Sequence, residues 1–126
     1  MIGNCNDINN MYRVFIFNSL LQLGLSPSCK GTYYLRDIII LAIKYSDFVN
    51  IDINLKELYI ILANEKNISY TKVNSCIEYA INTRNEIKTK TNFNNIFQLD
   101  YDIYFMTAKS IINLIVTLIY NTKSVT

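Results

Sequence analysis

Apolar residues recur every three to four positions along most of this chain, which is the spacing of helices with one buried face. Over residues 7–23 this spacing predicts a first helix, and Gly24 is a natural stop for it. A second helix is predicted from Thr32, as its N-cap, to about Tyr45, and it is apolar on most sides. We therefore expect the second helix to lie at the centre of the fold. The expected inward residues are Ile8, Met11, Tyr12, Phe15, Leu20 and Leu23 in the first helix, and Leu35, Ile38, Ile39, Ala42 and Ile43 in the second.

A helix-turn-helix is predicted at about residues 55–86. Asn54 can cap a helix over 55–64, and Ala63 is small enough to let a second helix cross it closely. Asn67 tolerates the left-handed backbone that a tight turn between helices requires, and Ser69 can cap the helix that follows. The apolar contacts within this unit are expected from Leu58, Ile61, Leu62, Ile68, Val73, Cys76, Ile77, Ala80 and Ile81.

The helix that begins at Ser69 has a polar side as well as an apolar one. In a helix-turn-helix the polar side of the second helix enters the major groove of DNA. An ordinary helical hairpin inside an all-helical core has the same pattern, so the spacing alone leaves both interpretations open. The outward residues are Lys72, Asn74, Ser75, Glu78, Tyr79 and Asn82.

The remaining segments complete an all-α fold. Residues 87–95 are polar and predict an exposed loop, followed by a short helical turn over 93–99. The last helix is predicted from residue 104 or 107 to 120, and it is so apolar that it either lies deep in the core or packs on another subunit. Residues 1–6 predict a disordered tail, and residues 7–126 a single compact helical bundle of five to six helices.

Composition narrows the function classes. With 126 residues, 51% of them hydrophobic, three glycines and one proline, the chain predicts one domain of long helices. It has no histidine, and its three cysteines lack paired-ligand spacing, so we predict no metal site and no cofactor. Without a glycine-rich phosphate loop or a placed carboxylate pair, we predict no enzyme and no small-molecule substrate. With no leader peptide and no long apolar run, we expect a cytoplasmic protein without a membrane partner.

The motifs from about residue 17 to 81 resemble the C-terminal effector domain of the stage-0 sporulation protein A family. The chain reads Leu23-Gly24 and then Lys30-Gly31-Thr32-Tyr33-Tyr34-Leu35-Arg36-Asp37, which is similar to that family's Lys-Gly-x-x-Tyr-Leu-Arg-Glu element. Further matches, without gaps, are Leu58-Tyr59, Leu62-Ala63, Asn67, Val73, Cys76-Ile77 and Ala80-Ile81. Beyond Ile81 only Ile96-Phe97 and the final amphipathic helix correspond.

This resemblance implies a helical domain that binds double-stranded DNA as a transcription regulator, often as tandem copies and under control of a phosphorylated receiver domain. We expect the receiver to be absent, because residues 1–6 are too few to hold one. The family's recognition helix is basic at the positions of Lys72, Ser75 and Glu78, and only Lys72 keeps its charge. The net charge of +2 neither establishes nor excludes a nucleic-acid partner.

These patterns give two sets of candidate DNA contacts, in competition with a solvated surface that needs no function. Lysine can donate to the acceptor atoms of guanine, asparagine can form a pair of hydrogen bonds with adenine, and glutamate can accept from the cytosine amine. The base-reading candidates are Lys72, Asn74, Ser75 and Glu78. The phosphate candidates are Lys66, Arg84, Lys88, Lys90 and Lys30, of which Lys30, like Arg36, is more readily structural or phosphate-positioning than base-reading.

The alternative function is a protein-interaction module. In that case the fold would be kept while helix 107–120 forms a homodimer or engages another regulator, and DNA would not be bound. The ten tyrosines raise a further question, because stacked rings can hold single-stranded nucleic acid. We expect Tyr33, Tyr34, Tyr45 and Tyr59 to be packed rings with their hydroxyls at the surface instead, since they have core-like helical spacing.

Overall fold

The computed structural model describes the backbone of residues 2–45, 54–101 and 106–125, and side chains within 10–45, 54–101 and 106–121. These residues contain no strand, and the predicted all-α bundle with a helix-turn-helix is confirmed. The described ranges form six helices: α1 (Ile2–Gln22), α2 (Lys30–Tyr45), α3 (Leu55–Lys66), α4 (Tyr70–Asn82), α5 (Glu86–Phe97) and α6 (Ala108–Val125).

Helix α2 lies at the centre, as its apolar sides predicted. It packs against α1, α3, α4 and α6, and it buries Leu35, Ile38, Ile39 and Ala42. Thr32 is not its N-cap, because the helix already begins at Lys30. Thr32 is instead fully buried, and its hydroxyl donates to the Ser26 carbonyl at 2.7 Å. That hydrogen bond fastens the preceding loop to the first turn of α2.

Helix α1 differs from the prediction at its start and in its buried side. It begins at Ile2, so residues 2–6 are helical, because extending an existing helix costs little and no proline interrupts it. Met11 and Phe15 are 69% and 41% exposed, which corrects their expected burial. The contacts of α1 with α2 and α5 are made by its other side, which buries Ile16, Ser19 and Leu20. The side chain of Ile8 lies outside the described residues.

The predicted turn between α3 and α4 is confirmed in each of its local signals. The side chain of Asn54 accepts from the Glu57 amide at 3.3 Å, and that of Ser69 accepts from the Lys72 amide at 3.1 Å. Between the two helices Asn67 has φ 57° and ψ 44°, which is left-handed backbone. Two capped ends and one left-handed residue therefore fix the path of the chain from α3 into α4.

The left-handed conformation at Asn67 gives a testable stability effect. We expect Asn67→Ala to lower the free energy of unfolding by about 1 kcal/mol, because a β-carbon without a local polar partner disfavours this backbone region. Asn67→Gly should leave stability near that of the parent. Urea unfolding measures both, with Asn64→Ala on the exposed side of α3 as the control. Equal losses in the alanine and glycine variants would contradict this account.

The predicted loop over residues 87–95 is wrong, because these residues belong to α5. Asn85 caps the helix by accepting from the Lys88 amide at 3.2 Å, and Thr89, Phe93 and Phe97 are buried at a spacing of four. The polar residues between them conceal that spacing in the sequence. Two hydrogen bonds also attach α5 to the end of α1. The backbone amide of Asn85 donates to the Gly24 carbonyl at 2.8 Å, and the side-chain amide of Asn92 donates to the Gln22 carbonyl at 2.8 Å.

Helix α6 explains the strongly apolar C-terminal segment. Thr107 caps it, accepting from the Ser110 amide at 3.1 Å, and the helix continues to Val125, beyond the predicted end at Tyr120. It packs against α2 and α4. Of the two possibilities for this segment, burial in the core of the same chain is therefore confirmed. The buried residues are Ile111, Ile112, Ile115, Val116 and Ile119.

Candidate nucleic-acid interface

Helix α4 separates its polar and apolar residues cleanly. Val73, Ile77, Ala80 and Ile81 are at most 2% exposed and face the core. All four predicted base-reading residues are exposed, and Tyr79 beside them is 63% exposed. We call this exposed set the α4 polar face: Lys72, Asn74, Ser75, Glu78 and Tyr79. Its accessibility is what base reading requires, while base reading itself stays a prediction.

The start of α2 lies directly against the middle of α4. A β-carbon placed on Gly31 would overlap the carbonyl group of Cys76 and lie 2.9 Å from Cα of Ile77. Because of this close approach, Lys30 borders the same groove as Ser75 and Tyr79. The structure therefore brings one predicted phosphate contact, Lys30, to the edge of the α4 polar face.

Lys66 and Arg84 are engaged within the fold. Lys66 Nζ lies 3.3 Å from Asp37 Oδ2 and 5.8 Å from the ring centre of Tyr34. The guanidinium of Arg84 donates to three groups: Thr89 Oγ1 at 3.1 Å, the Ile81 carbonyl at 2.9 Å and the Tyr101 hydroxyl at 3.2 Å. These contacts favour a structural role for Arg84, since they join the end of α4 to α5. Lys88 and Lys90 are exposed on α5.

Comparison with known proteins decides the family. Residues 16–119 match the family model described as "Sporulation initiation factor Spo0A C terminal". The chain belongs to this family. This family is the DNA-binding effector domain of a sporulation factor and is not an enzymatic family, which supports a DNA-binding regulator. Comparison with curated proteins and with solved structures gave no significant match.

The match extends the resemblance visible in the sequence. Beyond residue 81 the motifs gave only Ile96-Phe97 and the final amphipathic helix, whereas the Spo0A C-terminal model continues to residue 119 and thus covers α5 and most of α6. Among the described residues, no helix is long and apolar enough to cross a membrane. The same residues contain no group of three or more side chains suited to hold a metal ion.

One acidic side chain of this Spo0A C-terminal domain connects three helices behind the helix-turn-helix. Asp37 Oδ1 accepts from Arg36 Nε at 3.1 Å and from Arg36 Nη2 at 3.0 Å. Arg13 of α1 lies 3.8 Å from the same oxygen, and Lys66 of α3 binds the other one. We call these four residues the Asp37 cluster. Asp37 occupies the position of the glutamate in the Lys-Gly-x-x-Tyr-Leu-Arg-Glu element.

Arg36 has a structural environment, which favours the structural alternative over a contact with phosphate. Besides Asp37, its guanidinium lies 5.8 Å from the ring centre of Phe17 and 5.4 Å from that of Tyr33. The two rings also pack on each other, with centres 4.9 Å apart, and a cation near both gains from each, so these contacts help attach α1 to α2. The sequence placed Arg36 in the family motif, but it could not show these partners.

The tyrosines divide into packed and exposed rings. Tyr59 is 2% exposed. This burial is the main reason that the pKa of its phenol lies far above the ordinary value, and the nearby Glu78 carboxylate and Tyr70 phenol raise that pKa further. Its ring is therefore a neutral part of the core under the α4 polar face. Tyr34 is half-buried, whereas Tyr33 is 39% and Tyr45 62% exposed. The prediction of a packed ring is thus wrong for Tyr45, which is the last residue of α2 and mostly exposed.

Proposed function

We propose that this chain is a sequence-specific transcription regulator that acts in the cytoplasm by inserting α4 into the major groove of DNA. The observation that supports it most is the α4 polar face, which stands exposed on a helix whose other side is fixed in the core. A capped, left-handed turn after α3 holds α4 in that position. In this role Lys72, Asn74, Ser75 and Glu78 read base edges.

Exposed cations supply the contacts with phosphate. Lys30, Lys88 and Lys90 are exposed, whereas Lys66 has an internal carboxylate partner. If these three neutralise one phosphate each, the logarithm of the binding constant should fall with the logarithm of salt concentration with a slope of about −3. One module of this size buries a modest polar interface, so we propose that two copies bind together on DNA.

The central test is Lys72→Glu, assayed on genomic DNA fragments at low and moderate salt. We expect it to weaken binding roughly tenfold or more, because an attractive contact is replaced by repulsion from the DNA backbone. The matched control is Lys44→Glu, which makes the same charge change near the other end of α2, roughly 21 Å along the helix from Lys30. Binding that is insensitive to salt, or equally weak in both variants, would rule out this mode of DNA binding.

The second candidate is a protein-interaction module that pairs with another copy of itself. Exposed Glu65, Glu78 and Glu86 lie among the candidate cations, which disfavours a strongly positive surface. The helix predicted for this contact, 107–120, has most of its apolar residues in the core instead. An apolar surface does exist on α1, where three neighbouring side chains are exposed: Met11 by 69%, Val14 by 60% and Phe15 by 41%. These residues carry no charge that would repel the same surface of a second copy.

Sedimentation of Met11→Glu tests this second candidate. If α1 pairs with a second copy, the variant should be monomeric at concentrations where the parent is a dimer, because the glutamates bring like charges together in the contact. Asn64→Glu adds the same charge on exposed α3 and should leave the dimer intact. A monomeric parent at all concentrations would argue against the module, and DNA binding by Met11→Glu would separate the two functions.

A further inference from the structure

The groove between the start of α2 and the α4 polar face is lined by two cysteines. Cys29 and Cys76 are both free and both partly exposed, and they line the same groove of about 460 Å³. Lys30, Ser75 and Tyr79 border it as well. Neither thiol is needed by the DNA contacts proposed above. Two cysteines that line one groove are a different chemical unit from an isolated buried cysteine.

The backbone brings the two cysteines near each other. Gly31 touches the carbonyl group of Cys76, and Cys29 precedes Gly31 by two residues, or at most about 7.6 Å between Cα atoms. Cys29 stands outside α2, in the turn where its amide donates to the Ser26 carbonyl at 3.2 Å. The Thr32 hydroxyl on the Ser26 carbonyl and the Thr32 amide on the Cys29 carbonyl, at 3.1 Å, hold this turn beside the start of α2 and hence beside α4.

We propose that Cys29 and Cys76 form a dithiol site that a hydroperoxide oxidises to an intramolecular disulfide. The thiolate of one cysteine attacks the hydroperoxide oxygen, which breaks the O–O bond, gives a sulfenic acid and releases an alcohol. The second thiolate then attacks the sulfenic sulfur, forming the S–S bond and releasing water once protons are supplied. The hydroperoxide is reduced by two electrons, and the two cysteines are oxidised by two.

If the proposed function holds, bound DNA should affect how fast this disulfide forms. A disulfide needs Cα atoms about 4.4–6.8 Å apart, so forming it fixes the turn at Cys29 against α4. Lys30 and Ser75, which border this groove, would lie against DNA in the proposed complex. Bound DNA therefore covers the groove and should slow the oxidation.

Peptide mapping tests the dithiol site directly. The experiment uses the full chain carrying Cys5→Ser, so that only Cys29 and Cys76 remain. This variant is treated with cumene hydroperoxide and then digested with trypsin without reductant. The expected product is a reducible cross-link between the peptide that ends at Lys30 and the peptide that ends at Arg84. Adding Cys76→Ser should abolish it. Oxidised monomer without this cross-link, or cross-links only between two chains, would overturn the proposal.

A second arm separates the site from the proposed function. Saturating genomic DNA should slow the cross-link several-fold in the parent and leave it unchanged in Lys72→Glu, which we expect to bind DNA poorly. If the cross-link forms equally fast with and without bound DNA, the α4 polar face does not lie on DNA as proposed. That result overturns the proposed placement, whereas the cross-link itself decides the dithiol site.

Discussion

Gly31→Ala should destabilise the protein by about 3 kcal/mol, near the upper end of overpacking effects. The new β-carbon would overlap the carbonyl group of Cys76, and the nearest atoms belong to the backbone of α4, not to a flexible side chain. Relief therefore requires α2 and α4 to separate. These helices share the centre of the core, so their separation would loosen many contacts together.

Helix propensity and the predicted overlap change the stability of Gly31→Ala in opposite directions, so the sign of the measured change distinguishes them. Alanine in a helix is favoured over glycine by about 1 kcal/mol, so without the overlap Gly31→Ala would stabilise the protein. Urea or thermal unfolding measures the change, with Asn64→Ala on exposed α3 as a control for the new residue type. A Gly31→Ala protein as stable as the parent would mean that α2 and α4 do not approach each other as described.

Removing the acid of the Asp37 cluster should have the next largest effect. We expect Asp37→Ala to cost about 2 kcal/mol, because it leaves Arg36, 17% exposed, without its carboxylate partner and frees Lys66. The value is below that of a fully buried pair, since Asp37 keeps 13% of its side-chain exposure and Lys66 36%. The loss should also release the last turn of α3 and so disturb the position of α4.

Two comparisons separate the cluster from a general loss of negative charge. Glu65→Ala removes an exposed acid from α3 and should change stability by less than about 0.5 kcal/mol. Asp37→Asn keeps the size of the side chain and should lose much of the same stability as Asp37→Ala. Unfolding in urea measures all three. Equal stability of Asp37→Ala and Glu65→Ala would show that the cluster contributes nothing measurable.

The parts of the fold that the sequence predicted well depend on local chemistry. Asn54, Asn67 and Ser69 each act through backbone groups within a few residues, so their roles could be inferred from neighbouring residues alone. The exposed side of α4 was predictable for the same reason, because its apolar residues repeat at helical spacing. Local signals thus defined the helix-turn-helix and its polar side.

The sequence-based predictions of burial and contacts were wrong where these depend on distant parts of the chain. Helix α1 has apolar residues on both sides, and only the positions of α2 and α5 decide that Ile16 is buried and Met11 is exposed. The partner of Arg84 at Tyr101 is 17 residues away, so its engagement within the fold could not be read from spacing. For α5, a spacing of four was present at Thr89 and Phe93, but the intervening lysines and asparagines concealed it.

The hydrogen bonds between the end of α1 and the start of α5 have a mechanical consequence. Because Asn85 and Asn92 donate to the carbonyls of Gly24 and Gln22, a shift of the end of α1 would strain both hydrogen bonds to α5. Lys88 follows Asn85 by three residues on α5, so the end of α1 helps to set where this exposed cation stands.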